Sequence, residues 1–151
     1  MKIYDRLTTF TVELVVEAIQ AHMDLNLKVP NVDKRVDFQG HKVKLSSLRL
    51  KTFLLKGLNC AECGLEGTLF ALEKHSWDKV YHLNLWGINE NGQEVLMTHD
   101  HILARSLGGA DNLSNTQTMC TVCNFRKGKL EQEIKNDIKQ KRKKVKQKTA
   151  D

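Results

Sequence analysis

The sequence predicts an α+β fold on three observations. Apolar residues recur at three- and four-residue intervals in two separate stretches, two β-rich runs flank an Asn-Gly pair, and two Cys-x-x-Cys pairs bracket those runs. The first observation gives helices, the second a hairpin, and the third a metal staple between distant parts of the chain.

The 151 residues give room for one ordinary domain plus a small appendage. The charge is localised. From Arg126 onward there are 11 Lys/Arg against 4 Asp/Glu, which leaves 13 against 14 upstream, so the whole +6 excess lies in the C-terminal segment. A basic segment on a near-neutral body implies a polyanionic partner, nucleic acid before membrane, because no nearby run is long and apolar enough to insert. Met1 opens no signal-peptide pattern, so the expectation is a soluble chain in the cytoplasm. In that reducing compartment the four cysteines bind metal more readily than they form disulfides.

In chain order, Val12, Val15, Val16, Ile19 and Met23 share one face of a helix, and Pro30 sits in a polar connector. Val36 and Phe38, then Val43 and Leu45, alternate with charged residues on either side of Gln39-Gly40, which predicts a short hairpin. Ser46-Ser47 is an N-cap signal for a helix over 48–56 that buries Leu50, Phe53 and Leu54, ends at Gly57 and delivers Cys60. Strands are expected over 80–88 and 93–98, with Asp100 and His101 where the chain leaves the sheet. Asn112 to Met119 reads as a polar connector, followed by a helix starting near Cys120 or Thr121. Beyond Gly128, Leu130, Ile134, Ile138 and Val145 form a stripe one residue wide, and seven of the ten residues over 139–148 are Lys or Arg, where fraying is expected. Trp77, Tyr81 and Trp86 are expected in the core. His22, His41, His75 and His82 read as ordinary surface or half-buried residues.

Cys60-Ala-Glu-Cys63 and Cys120-Thr-Val-Cys123 each have the two-residue gap that lets one turn offer two thiolates to one ion. Four thiolates leave no open position for water, so the Zn²⁺ they would hold is structural and clamps the helix ending at Gly57 to the one starting near Cys120. A stand-alone zinc ribbon separates its pairs by roughly 15–20 residues. Here 56 intervene, enough for a hairpin and a loop.

The densest chemistry is in 97–129, where Asp100 and His101, the pair Gly108-Gly109, then Asn115, Asn124 and Lys127 follow one another. This run resembles the HNH nucleases, and its spacings, fourteen residues from His101 to Asn115 and twenty-three to Asn124, are similar to the HNH domain of the CRISPR effector nucleases. The resemblance covers about Ser46 to Lys129. It implies a ββα-metal core stabilised by the Cys₄ zinc site over 46–130, preceded by a small α/β extension over 1–45 (a helix plus a short hairpin) and followed by a basic helical tail over 131–151. It also implies His101 as general base, Asp100 and Asn124 as ligands of a catalytic Mg²⁺ or Mn²⁺, Asn115 as the residue that fixes the loop behind the base, and Lys127 as a family lysine near the phosphate. Ala104 stands where the family often has Pro, and Asn124 where many members have His. The activity implied is metal-dependent hydrolysis of DNA, double-stranded first, with Arg126, Lys127, Lys129, Lys139, Lys141, Arg142, Lys143 and Lys144 as phosphate contacts. The rival readings are a zinc-stabilised nucleic-acid-binding module without turnover and a nuclease directed at RNA. Small size and a basic tail resemble phage and mobile-element nucleases, which would put the chain in a bacterial host cytoplasm. A second copy or a protein partner could engage 1–45.

Overall fold

The computed structural model describes residues 4–28 and 35–148, so the Pro30 connector lies outside the described residues. The elements are β1 (Tyr4–Thr11), α1 (Val12–Lys28), β2 (Val36–Phe38), β3 (His41–Val43), α2 (Leu48–Lys56), β4 (Gly67–His75), β5 (His82–Ile88), β6 (Glu94–His101), β7 (Thr116–Cys120) and α3 (Thr121–Lys148). Strands β1, β4, β5, β6 and β7 pair in that order as one antiparallel sheet, and β2 and β3 form a separate hairpin. The α+β class is therefore correct.

One face of the sheet carries the core. Phe70 and Leu72 of β4 stand opposite Leu85 and Leu83 of β5, as the two-residue period of a strand requires, and Val15 and Ile19 of α1 with Leu50 and Phe53 of α2 close over them. Phe53 meets Phe70 edge-on with ring centroids 6.3 Å apart, and Phe10 meets Phe38 of the hairpin at 5.0 Å. α2 starts where Ser47 Oγ accepts from the Leu50 N–H at 3.2 Å and stops at Gly57, whose φ of 89° is the left-handed region glycine tolerates. Its buried Thr52 then donates to Thr116 Oγ1 at 2.9 Å, which ties the helix to the first residue of β7.

The other face holds a polar hub. Glu73 is fully buried, and its Oε1 accepts from Asn84 Nδ2 at 2.9 Å and Trp86 Nε1 at 2.8 Å, while Oε2 takes Arg6 Nε at 2.9 Å. Arg6 also reaches Glu94 at 2.8 Å and lies over the Trp86 ring, so one guanidinium links β1, β4, β5 and β6. A bulge makes this geometry available. Arg6 pairs with Glu73 but Thr8 pairs with Leu72, leaving Leu7 as an extra residue, so Arg6 faces the hub while Phe10 faces the core.

Several expectations need correction. β1 and β4 have no counterpart in the sequence reading, and 116–120, read as part of a connector, is a strand whose Thr118 and Met119 are buried. Because β7 pairs with it, β6 continues to His101 instead of ending at His99 or Asp100. α3 runs unbroken from Thr121 to Lys148, through the stretch where fraying was expected. Trp77 is 74 % exposed and not core, and His22 is buried on α1 with no hydrogen-bond partner for Nε2 among the described residues. No described helix is long and apolar enough to cross a membrane.

Glu73→Ala should lower stability by on the order of 3 kcal/mol, because it strands three buried or half-buried donors. Glu73→Gln should cost less, since one oxygen can still serve Asn84 and Trp86. Denaturant melts at fixed zinc concentration check this order; equal midpoints for all three proteins would show that the hub does not hold the sheet.

Candidate active site and metal centre

The first Cys pair sits in a tight turn after α2. Cys60 N–H donates to Leu65 O at 2.8 Å and Gly64 N–H to Cys60 O at 2.9 Å, with Gly64 at φ 76°. Ala61 N–H donates to Thr118 O at 2.8 Å and Thr118 Oγ1 to Gly57 O, so the turn is fastened to β7. The second pair straddles the junction where β7 ends at Cys120 and the first turn of α3 offers Cys123. All four sulfurs lie within 4.8 Å of one another. Cys63 Sγ and Cys120 Sγ are 3.9 Å apart, too far for a disulfide bond and close to the ~3.8 Å edge of a tetrahedron with 2.3 Å zinc–sulfur bonds.

The protonation of the cluster fits a cation. Burial pushes the Cys120 thiol up to about 12, whereas Cys60, although also pushed up by burial, is brought down to about 7 by backbone donors. Arg126 Nη2 lies 3.1 Å from Cys123 Sγ. Four thiolates around a dication leave two negative charges, and this guanidinium answers one of them.

The run over 97–129 is a strand, a clamped loop, a strand and a helix. His101 is the register partner of Thr116, so residues 102–115 form the loop between β6 and β7. Asn115 closes it: its Oδ1 accepts from Leu103 N at 3.0 Å, and its Nδ2 donates to Leu103 O at 2.9 Å and Ala110 O at 2.8 Å. Both glycines of the turn are needed. Gly108 takes φ 97°, and any Cβ on Gly109 would collide with the Leu103 carbonyl.

α3 runs along the face of β6 that carries Thr98 and Asp100. Three residues of helix rise ~4.5 Å and two of strand ~6.6 Å, a difference that the long Lys127 side chain spans, so Asn124 meets Thr98 and Lys127 meets Asp100. Asn124 Nδ2 donates to Thr98 Oγ1 at 3.0 Å. Asp100 is buried, and Gln117 Nε2 at 2.9 Å and Lys127 Nζ at 2.8 Å both approach its Oδ2. Oδ1 of Asp100 and Oδ1 of Asn124 therefore stay open as hard oxygen donors, the donor type that suits Mg²⁺ or Mn²⁺.

Residues 89–139 match the family model described as HNH endonuclease. This segment is similar to the HNH endonucleases. No curated protein and no solved structure matches the chain. The match takes in the loop between β6 and β7, the second cysteine pair and about the first two thirds of α3, and it suggests a nuclease-type function for that segment.

The geometry also sorts the residues read from sequence. Lys127 spends its three N–H groups on Asp100, Glu131 at 2.9 Å and the His101 carbonyl, so it is not free for a phosphate. Burial would lower its pKa, but the two carboxylates raise it and keep it charged. Arg126 faces the thiols, and Lys129 Nζ lies 4.7 Å from the centre of the exposed Phe125 ring. In the tail, Lys139, Arg142 and Lys143 line a groove with Lys135 and Leu107, whereas Lys141 and Lys144 do not. Sequence reading missed Asp111, whose Oδ1 lies 2.8 Å from His101 Nε2, and Gln117, which reaches Asp100 through strand register alone. The hydrogen bond from His101, helped by Arg105, holds the Asp111 carboxyl below its usual range.

Purified protein should contain about one zinc per chain that chelators remove slowly. Since structural zinc sites are worth ~10–16 kcal/mol in small peptides, Cys60→Ser or Cys120→Ser should unfold the unit. Elemental analysis and circular dichroism check this, and folded, zinc-free protein would remove the zinc assignment.

Proposed function

We propose that the HNH unit, taken as residues 46–130 with the rest as flanking segments, is a metal-dependent endonuclease that hydrolyses DNA phosphodiester bonds. The observation that carries the reading is the convergence of Asp100 and Asn124, with open oxygens on one side of β6, beside a histidine at the mouth of a loop clamped by Asn115. A binding module has no physical need for that set. The chemistry of an ion held by Asp100 and Asn124 would be to neutralise the charge that builds up on the phosphate and its leaving oxygen.

The side chains divide the remaining work. A water oxygen attacks phosphorus and gives its proton to His101, the bond to the 3′ oxygen breaks, and that oxygen takes a proton from solvent, which leaves 5′-phosphate and 3′-hydroxyl ends. Asp111 stays a carboxylate and can only accept, so His101 Nε2 carries the ring proton and Nδ1 keeps the lone pair. Lys127 and Gln117 fix the rotamer of Asp100, and Asn115 fixes the loop, so all three are positioning residues. One unit cuts one strand; a double-strand break takes two sequential nicks or two copies. We place the activity in the cytoplasm, that of a bacterial host if the chain is phage-encoded.

His101→Ala should retain fold and DNA affinity and lose ~10²- to 10⁴-fold in turnover, the usual contribution of a general base. Asp100→Ala and Asn124→Ala should be partly rescued by excess Mn²⁺. The assay sets supercoiled, linear and single-stranded DNA and RNA against Mg²⁺ or EDTA. Binding without cleavage would favour the non-catalytic module, cleavage of RNA alone the RNA enzyme, and full activity in His101→Ala would remove the base assignment.

The basic face of α3 supports a second expectation. Truncation after Glu133, which keeps the Glu131 partner of Lys127, should flatten the dependence of log affinity on log salt, each lost phosphate contact accounting for about 0.9 of slope. Cleavage at low salt should persist. Superimposable slopes for full-length and truncated protein would rule out the tail as a DNA arm.

A further inference from the structure

A cleft of about 600 Å³ opens between the start of α2, β5 and β6, lined by Arg35, Lys44, Arg49, His82, His99 and Asn124 among others, and among the described residues no carboxylate lines it. Two of its cations, Arg49 and Arg35, differ from those elsewhere. Arg6 is paired with Glu73 and Glu94, Arg105 with Asp111, Lys127 with Asp100 and Glu131. By contrast Arg49 is half-buried, and its guanidinium donates to the Leu83 carbonyl at 3.3 Å with no acid in contact among the described residues, although burial lowers its pKa. Arg35, which follows the undescribed connector, reaches among the described residues the carbonyls of Lys42 and Tyr81, both at 3.4 Å.

Leaving a half-buried guanidinium without a counter-charge is costly, so a site that sets Arg49 beside a second, exposed guanidinium, Arg35, suits an anion from outside. Eight of the eleven residues around the cleft are polar or charged, which favours a charged ligand over the apolar kind that hydrophobic and aromatic walls take. The shape argues for a chain rather than a lone anion. Asn124 lines both this cleft and the shallow groove of Phe125, Gly128 and Lys129 on the other side, so an extended ligand can run from one to the other past the open oxygens of the HNH unit.

We propose that this cleft is a backbone-binding subsite, in which Arg35 and Arg49 hold DNA phosphates next to the bond to be cut. The proposal rests on the nuclease reading for its choice of DNA, and it gives the part of the chain before the zinc knuckles a role in substrate capture. Phosphate contacts position a strand without reading bases, so the contribution should be the same for every sequence.

The test uses full-length protein in EDTA, with fluorescence anisotropy on a labelled duplex, a single strand and an RNA of matching sequence across a salt series. Arg35→Glu changes an exposed side chain and should leave the fold intact, while Arg49→Gln is paired with Arg49→Lys as a charge-preserving control, each checked by thermal melting. Arg35→Glu and Arg49→Gln should each weaken duplex binding about tenfold or more and flatten the log–log salt slope by about one. Arg49→Lys should stay near wild type. Affinities and slopes equal to wild type for Arg35→Glu would overturn the proposal, and so would an effect confined to RNA. Loss of affinity on DNA together with a wild-type protein that never cleaves in Mg²⁺ would sustain the subsite and overturn the nuclease reading alone.

Discussion

Four thiols gathered within 4.8 Å cannot all ionise unless a cation sits among them, and nearly every part of the candidate site is anchored to that cluster. Cys60 and Cys63 follow α2, Cys120 ends β7, and Cys123 lies in the first turn of α3. One ion there would fix where α2 stops, where the last strand stops and the angle at which α3 departs. Asn124 is the next residue after Cys123, so its amide takes its position directly from the staple. The Thr118 bond to Gly57 and the Thr52 bond to Thr116 repeat the same attachment in neutral hydrogen bonds.

The site therefore consists of two nested constraints. The thiol cluster sets α3 against β6, and the short-range pairings Asn124 with Thr98 and Lys127 with Asp100 then set side-chain rotamers. The loop is fixed independently by Asn115, through three bonds to its own backbone. His101 sits where the two meet: its carbonyl is held by Lys127 from the helix and its ring by Asp111 from the loop. A histidine oriented by both would be less sensitive to the loss of either alone.

What could be read from the sequence was what is local. Two Cys-x-x-Cys pairs, a Gly-Gly turn, an N-cap before 48 and the Asp-His pair each announce themselves within a few residues. Gly109 illustrates why: its demand for space is made by Leu103, six residues away. The strands that failed to show had a physical reason to hide. β4 is buried on both faces around Glu73, so it lacks alternation, and β7 reads Thr-Gln-Thr-Met-Cys, with threonines buried where a pattern reader expects solvent. Arg49, Arg35 and His99 come together only through tertiary packing, and no spacing rule joins them. The lysine and arginine roles were the least legible, since a run of like charges says nothing about which partner each one finds; Arg126 turned to sulfur and Lys127 to carboxylate.

The helix that carries Asn124 also carries the basic arm, and the two are one rigid rod. From 132 to 147 its residues are exposed, a lever of 16 residues and so about 24 Å in length, along which Lys135, Lys139 and Arg142 line a groove with Leu107. A push at the free end becomes a rotation at the fulcrum beside the thiols, where a few degrees move the Asn124 amide by tenths of an ångström. Gly128, one turn beyond Asn124 and with nothing near its missing Cβ, is the most compliant point along that rod, since glycine weakens a helix by about 1 kcal/mol against alanine. Compliance there is a mechanical filter: large swings of the arm are absorbed at Gly128 before they reach the fulcrum, and only a sustained load is transmitted to it.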